Sequence, residues 1–92
     1  MNRTNQTLTE FTITGTAQEI LAVNLDTQGP GRKYVLIQNV GANPVFIGFT
    51  QAVQAVKIVP GGNYEPLEVH TGEYWAVSTG GDSDCVVIEG IG

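Results

Sequence analysis

The single histidine and the acidic residues near it are the side chains that could bind a metal ion or move a proton in this 92-residue chain. Glu68 and His70 would share one face of an extended strand, and Glu73 follows three residues later. This spacing matches no recognised zinc or transition-metal ligand pattern. We therefore expect His70 to lie in a surface turn, and we expect neither a metal nor another cofactor.

The candidate nucleophiles and the remaining paired carboxylates do not form a catalytic pattern either. Cys85 lies in an alternating apolar segment, where a free cysteine is usually a small buried hydrophobe. The serines, Ser78 and Ser83, are not in a Gly-X-Ser-X-Gly turn. Asp82 and Asp84 offer two carboxylates where Ca²⁺ needs about six oxygens, and they are more typical of a hairpin turn. The sequence predicts that the protein is not an enzyme.

Composition excludes further classes of function. The net charge is −5, and the four basic residues are scattered along the chain at Arg3, Arg32, Lys33 and Lys57. Binding to phosphates or to an anionic membrane requires a basic patch, so we expect neither nucleic acid nor membrane as a partner. Only 14 % of residues are charged, against roughly 25 % in an ordinary soluble domain. This favours a surface partly covered by other subunits over an uncovered Thr/Asn-rich β domain.

Cysteine usage and hydropathy indicate where the protein is made. A single cysteine excludes an intramolecular disulfide and fits synthesis in a reducing cytoplasm. The first seven residues are polar, which is not typical of a secretory signal. The sequence contains no apolar run of the roughly 18 residues that a membrane-spanning helix needs.

Turn residues divide the chain into about eight short, apolar, β-branched segments. This pattern predicts one all-β domain of antiparallel strands over residues 9–92, built as a β-sandwich, a jelly roll or a small barrel. Segment 50–55 is compatible with a loop, a short helical turn or a bulged continuation of a strand. The predicted strands are 9–15, 19–25, 33–40, 45–49, 56–59, 64–69, 73–78 and 84–89.

The segment 32–50 gives the clearest structural signal, because two apolar strands flank a tight Gly-Ala-Asn-Pro connection. We interpret it as a β-hairpin that forms the central scaffold. Its alternation predicts a core that contains Val35, Ile37, Val45, Ile47 and Phe49.

The surfaces available to a partner are predicted to lie outside this hairpin. Residues 1–8 are polar and aperiodic, which is typical of a flexible N-terminal arm. In the alternating segment 73–78, we expect Trp75 to face the core and Tyr74 to face outward, where it could anchor a contact. The candidate interface residues are Asn2, Arg3, Thr4, Asn5, Gln6, Thr7 and Tyr74.

Residues 32–90 resemble small accessory virion proteins encoded in the structural-gene regions of tailed bacteriophages. The resemblance starts with Arg-Lys-Tyr-Val-Leu-Ile-Gln-Asn-Val-Gly-Ala-Asn-Pro-Val-Phe-Ile-Gly-Phe at 32–49. A Pro-Gly-Gly turn at 60–62, Thr-Gly-Glu-Tyr-Trp-Ala-Val-Ser at 71–78 and a terminal Val-Val-Ile-Glu-Gly segment follow in the same order. No catalytic residue is carried over by this resemblance.

The resemblance implies a β-sandwich that decorates the phage head as a cement protein. Its expected partner is the major capsid protein, and its expected location is the head surface after synthesis in the bacterial cytoplasm. Such a protein is expected to form a homo-oligomer, a trimer or a dimer. The alternative is a tail- or fibre-associated module that recognises a host glycan or protein, with Tyr74 and the 80–84 turn as its site.

Overall fold

The fold is all-β. The computed structural model describes residues 5–23 and 31–91. Those residues form eight strands, and none of them is in a helix that could cross a membrane. In chain order the strands are β1 (Asn5–Ile13), β2 (Gln18–Leu21), β3 (Arg32–Asn39), β4 (Val45–Gly48), β5 (Val56–Ile58), β6 (Asn63–Tyr64), β7 (Tyr74–Ser78) and β8 (Ser83–Ile91).

The strands form two antiparallel sheets that pack as a sandwich. Sheet A has the order β1-β8-β3-β6 and sheet B has the order β2-β7-β4-β5. The first strand pairs with the eighth, the second with the seventh, the third with the sixth and the fourth with the fifth. This nested pairing of eight strands is a jelly roll, and it confirms the predicted fold class.

The core lies between the two sheets and takes alternate residues from each strand. Both sheets contribute side chains that are at most 5 % exposed. The buried apolar residues are Ile13, Ile20, Val35, Ile37, Val45, Ile47, Ile58, Tyr74, Ala76, Cys85 and Val87. Four of the five predicted core residues are among them, but Phe49 is 42 % exposed because β4 ends at Gly48.

The predicted hairpin at 32–50 is wrong, because β3 and β4 belong to different sheets. β3 pairs with β8 and β6, whereas β4 pairs with β7 and β5. The Gly-Ala-Asn-Pro connection therefore carries the chain across the sandwich from one sheet to the other. Both strands turn one face to the shared core, which gives them the same alternating pattern that a hairpin would have.

Three other predicted segments differ in extent. β2 ends at Leu21 and has a register shift between Glu19 and Leu21, so that Ile20 enters the core and Val23 is 55 % exposed. Leu25, the last residue of the predicted strand 19–25, is outside the described residues. The predicted strand 64–69 is reduced to Asn63–Tyr64, followed by Pro66, which cannot donate to a ladder. Segment 50–55 is an irregular loop.

The predicted arm over 1–8 is wrong from residue 5 onward. Asn5 to Ile13 pair with β8 in a continuous antiparallel register that runs from Asn5 opposite Ile91 to Ile13 opposite Ser83. An edge strand can carry polar side chains such as Thr and Asn. Because residues 5–8 have few apolar side chains, their sequence shows no alternation that would predict a strand. Residues Asn2, Arg3 and Thr4 of the predicted interface lie outside the described residues.

Candidate functional site

Strand β3 begins at a buried arginine that organises one end of the sandwich. The Arg32 side chain is fully buried, and its Nε donates to Glu89 Oε2 at 2.8 Å. Its two terminal nitrogens donate to the carbonyl oxygens of His70, Gly72 and Ala22. The guanidinium carbon also lies 5.3 Å from the centre of the Tyr74 ring. One side chain thus joins β3, β8 and two connections between strands.

A β-bulge turns Arg32 into the protein. Strand alternation places Val35 and Ile37 inward and would leave Arg32 on the outer face. The register with β8 shifts between Arg32 and Tyr34, so that two residues of β3 oppose one residue of β8. A bulge of this kind redirects a side chain. Alternation in the sequence could not predict this inward orientation of Arg32. The one indication of it was that two apolar strands each carry a charged residue, Arg32 and Glu89, which could form a buried ion pair.

An aromatic cluster covers this arginine. The Phe49 ring lies 4.0 Å from the His70 ring and 5.4 Å from the Tyr74 ring, measured between ring centres. Tyr74 is fully buried, and Tyr64 packs on it edge-to-face at 6.3 Å. The prediction that Tyr74 faces outward is therefore wrong. His70 is half-buried in this cluster rather than in an open surface turn.

Tyr74 and Trp75 exchange their predicted positions for a reason that lies in their neighbours. Tyr74 shares the inner face of β7 with Ala76 and Ser78, whose small side chains fit against the opposite sheet. Trp75 and Val77 lie on the outer face, and Trp75 Nε1 donates to Glu73 Oε1 at 2.8 Å. The outer face is the more hydrophobic of the two, so hydrophobicity alone indicates the wrong orientation.

The Tyr74 hydroxyl is the one buried side-chain polar atom of the described residues without a hydrogen-bond partner. Burial raises the pKa of Tyr74 to about 12, and the neighbouring Tyr64 contributes to the shift. The phenol is therefore neutral at physiological pH. Desolvation likewise raises the pKa of the buried Cys85 to about 11, so its thiol is a poor nucleophile. This matches the prediction of a small buried hydrophobe.

We call the end of the sandwich that contains Arg32, the β4–β5 loop (residues 49–55) and the β6–β7 connection (residues 65–73) the Arg32 end. The β4–β5 loop folds back over β4, since a Cβ at Gly48 would collide with the Val53 carbonyl. Gln54 Nε2 holds the loop by donating to the carbonyls of Thr50 and Gln51 at 2.8 Å each. The loop therefore has its own hydrogen bonds as well as the Phe49 contacts.

The Arg32 end carries most of the exposed large apolar side chains. Five of the eight that the described residues expose are located there, namely Val23, Phe49, Val53, Val56 and Leu67. Val53 is 60 % exposed, and it lines an apolar depression of about 340 Å³ together with Phe49 and Val56. A cluster of this kind on a small domain is typical of a protein-binding surface.

The opposite end, where β3 finishes, is closed by a polar network. Asn39 is fully buried, and its Nδ2 donates to the carbonyls of Asn43 and Ile58 at 2.8 and 2.9 Å. Its Oδ1 accepts from the Ser83 hydroxyl at 2.8 Å and from the Gly41 amide at 3.1 Å. Every hydrogen-bonding position of this amide is used. We call this the Asn39 end.

Short turns complete the Asn39 end. Gly80 and Gly81 both have positive φ, 81° and 140°, which favours glycine at each position. Asn43 Nδ2 donates to the Asp82 carbonyl at 2.9 Å across this turn. The hairpin-turn prediction for Asp82 and Asp84 is wrong, because the turn joins β7 of sheet B to β8 of sheet A and these strands do not pair; Asp82 lies in this crossing turn and Asp84 lies in β8.

The remaining sequence candidates do not come together into a reactive site. In the described parts of the chain, no three His, Cys, Asp or Glu side chains are placed to hold one metal ion. The 80–84 segment lies at the Asn39 end, whereas Tyr74 is buried at the Arg32 end. The surface that they were predicted to form together does not exist. Comparison with known protein-family models, with curated proteins and with solved structures finds no match.

Proposed function

We propose that this protein is a structural protein of a tailed-bacteriophage virion, a head decoration (cement) protein that binds the major capsid protein from outside. The resemblance of residues 32–90 to accessory virion proteins supports the phage assignment. The jelly roll agrees with it, although this fold also serves other functions, lectins among them. The proposed location is the head surface, after synthesis in the host cytoplasm.

The observation that carries the proposal is the apolar surface of the Arg32 end. Phe49 and Val53 are exposed on a loop that is fixed by hydrogen bonds and aromatic contacts, and Val56 is exposed beside it at the start of β5. A surface that is already ordered loses little conformational entropy when it binds. Burial of exposed apolar area on a neighbouring protein then supplies binding free energy at about 25 cal/mol per Å². The proposed shell-binding surface is therefore this loop.

Binding of the purified protein to expanded, empty capsids of the encoding phage tests the proposal. We expect saturable binding at a fixed number of copies per capsomer. Val53→Asp should weaken binding at least about tenfold, because it places a charge in an apolar contact. Val59→Asp is the matched control, since Val59 is similarly exposed, at 52 %, but follows β5 toward the Asn39 end. Equal binding by both variants would contradict the proposed surface.

Trp75 supports a second candidate function, the tail- or fibre-associated module that binds a host glycan or protein. Its ring lies on the outer face of sheet B beside Glu73, and aromatic faces of this kind stack on sugars. In this candidate function Trp75 is the aromatic residue that contacts the ligand, because Tyr74 is buried. The second function would replace the first if the protein does not bind capsids but does bind host cells, and if Trp75→Ala abolishes the binding to host cells.

A further inference from the structure

The edges of the two sheets differ in how they are protected from pairing with another strand. Exposed edges carry unpaired backbone N–H and C=O groups, and proteins usually shorten, bulge or charge such edges, or place proline there. The edge strand β2 has four residues and a register shift. β5 has three residues with Lys57 at its centre, and β6 has two residues, with Pro66 two positions beyond its end.

β1 is the exception. It is a nine-residue edge strand, and β8 is its neighbour on one side only. It contains neither proline nor lysine, and its register with β8 is continuous without a bulge. Gln6 to Glu10 are all exposed, and Leu8 is 60 % exposed. Among the described strands, the longest edge of the sandwich is therefore open to pairing along its length.

We propose that β1 pairs with β1 of a second copy of this chain, antiparallel about a two-fold axis at Leu8, which joins two A sheets into one eight-stranded sheet. On the outer face of sheet A, Leu8 lies opposite Ile88, and Ile88 lies opposite Leu36 on the next strand. These three side chains form an apolar row that ends at the open edge. Pairing at Leu8 extends the row directly into the same row of the second copy.

The side chains on β1 select this register over its neighbours. Centring the axis at Leu8 places Gln6 opposite Glu10 of the second copy, where an amide can donate to a carboxylate. Centring it at Thr9 would set Leu8 against Glu10, and centring it at Glu10 would set two carboxylates face to face. In this register, residues that face each other point to the same side of the sheet. The outer-face side chains of both copies therefore lie on one face of the joined sheet. The surface at the Arg32 end is not needed for this pairing, so the dimer does not rest on the proposed virion function.

Sedimentation equilibrium of the full chain tests the pairing. We expect a dimer, and we expect Leu8→Lys to raise its dissociation constant at least about tenfold by placing two like charges in contact. Thr12→Lys is the matched control, because Thr12 lies on the same face of β1 but beyond the paired residues 5–11. Gln6→Lys should lower the dissociation constant roughly fivefold, since it faces Glu10 of the second copy at two symmetric positions.

Cross-linking reads the register directly. Facing residues in an antiparallel pair have Cβ atoms about 4.5–5.5 Å apart, so Leu8→Cys should form an intermolecular disulfide with an added oxidant, whereas Glu10→Cys should not. Circular dichroism shows whether each variant is folded. If Leu8→Lys does not fold, Gln6→Lys still tests the pairing, because it replaces one exposed polar side chain by another. A monomer at all concentrations, a trimer, or equal dimers from Leu8→Lys and Thr12→Lys would overturn the proposal.

Discussion

Strand β3 starts at one buried polar side chain and ends at another, and the two hold their ends of the sandwich in different ways. Arg32 is a charged donor that reaches three backbone carbonyls and one carboxylate on separate elements. Asn39 is a neutral amide that both donates and accepts, with partners in the adjoining β3–β4 turn and at strand residues Ile58 and Ser83, which flank the other short connections at this end. Arg32 therefore fixes long connections, whereas Asn39 closes short ones.

This difference is the reason for placing the proposed partner contact at one end of the sandwich. Long connections expose side chains beyond the sheets, and they carry function when a scaffold positions them. At the Arg32 end, such connections expose Phe49, Val53 and Leu67. At the Asn39 end, the turns use their polar groups internally, in the contacts of Asn43 and Ser83 with neighbouring turns. The comparison therefore favours the Arg32 end as the proposed binding surface.

Removing the charged group should have the largest effect on stability. Arg32→Leu removes the buried guanidinium that donates to Glu89 Oε2 and to three backbone carbonyls, and we expect it to lower the free energy of unfolding by about 3–5 kcal/mol. Arg32→Lys should recover only part of the loss, because an ammonium cannot reproduce the planar fork. Urea denaturation gives the values, with the exposed Lys57→Leu as control. A loss below about 1 kcal/mol for Arg32→Leu would show that Arg32 does not hold this end.

The neutral network should be the second most sensitive position. Asn39→Leu keeps the number and branching of the side-chain heavy atoms but removes the acceptor of the Ser83 hydroxyl and the Gly41 amide and the donor to two carbonyls. We expect it to cost about 2–3 kcal/mol. Gln38→Leu removes an amide one residue earlier on the outer face and should cost less than about 0.5 kcal/mol. Equal losses for the two variants, again by urea denaturation, would mean that the Asn39 network adds little.

The smallest effect is expected at the unpartnered hydroxyl of Tyr74. Tyr74→Phe should leave the stability unchanged or raise it by up to about 1 kcal/mol, because a buried unpaired group disappears. The unfolded chain releases the Tyr74 proton near its ordinary pKa of 10 and the folded chain near 12, so the folded state binds more protons between these values. Stability should therefore fall as the pH rises from 10 toward 12, and less steeply in Tyr74→Phe. A clear destabilisation by Tyr74→Phe at neutral pH would show that the hydroxyl has a partner.

The sequence predicted the parts of this structure that depend on local alternation. Val35, Ile37, Val45 and Ile47 enter the core as their period indicates, and the turn residues separate eight strands. Alternation does not report which sheet a strand joins, so the same pattern predicts a hairpin for β3 and β4 although they lie in different sheets. Strand pairing in this fold is mostly between segments far apart in sequence, and local patterns do not encode it.

The residues around the proposed binding surface were harder to place from the sequence than the fold. Arg32 faces inward because of a bulge, and Tyr74 faces inward because its small neighbours fit the opposite sheet. Both depend on partners across the sandwich. Phe49 was assigned to the core since it continues the period of β4, but the strand ends before it. Its exposure follows from the position of the turn into segment 50–55, whose structure the sequence leaves open.

Electron cryomicroscopy of expanded capsids saturated with the protein tests the central claim most directly. The account predicts jelly rolls at fixed lattice positions, with the Arg32 end against the shell and the β4–β5 loop, with Phe49 and Val53, in the contact. Capsids that bind the protein through the Asn39 end, or that show no ordered copies at saturation, would contradict it.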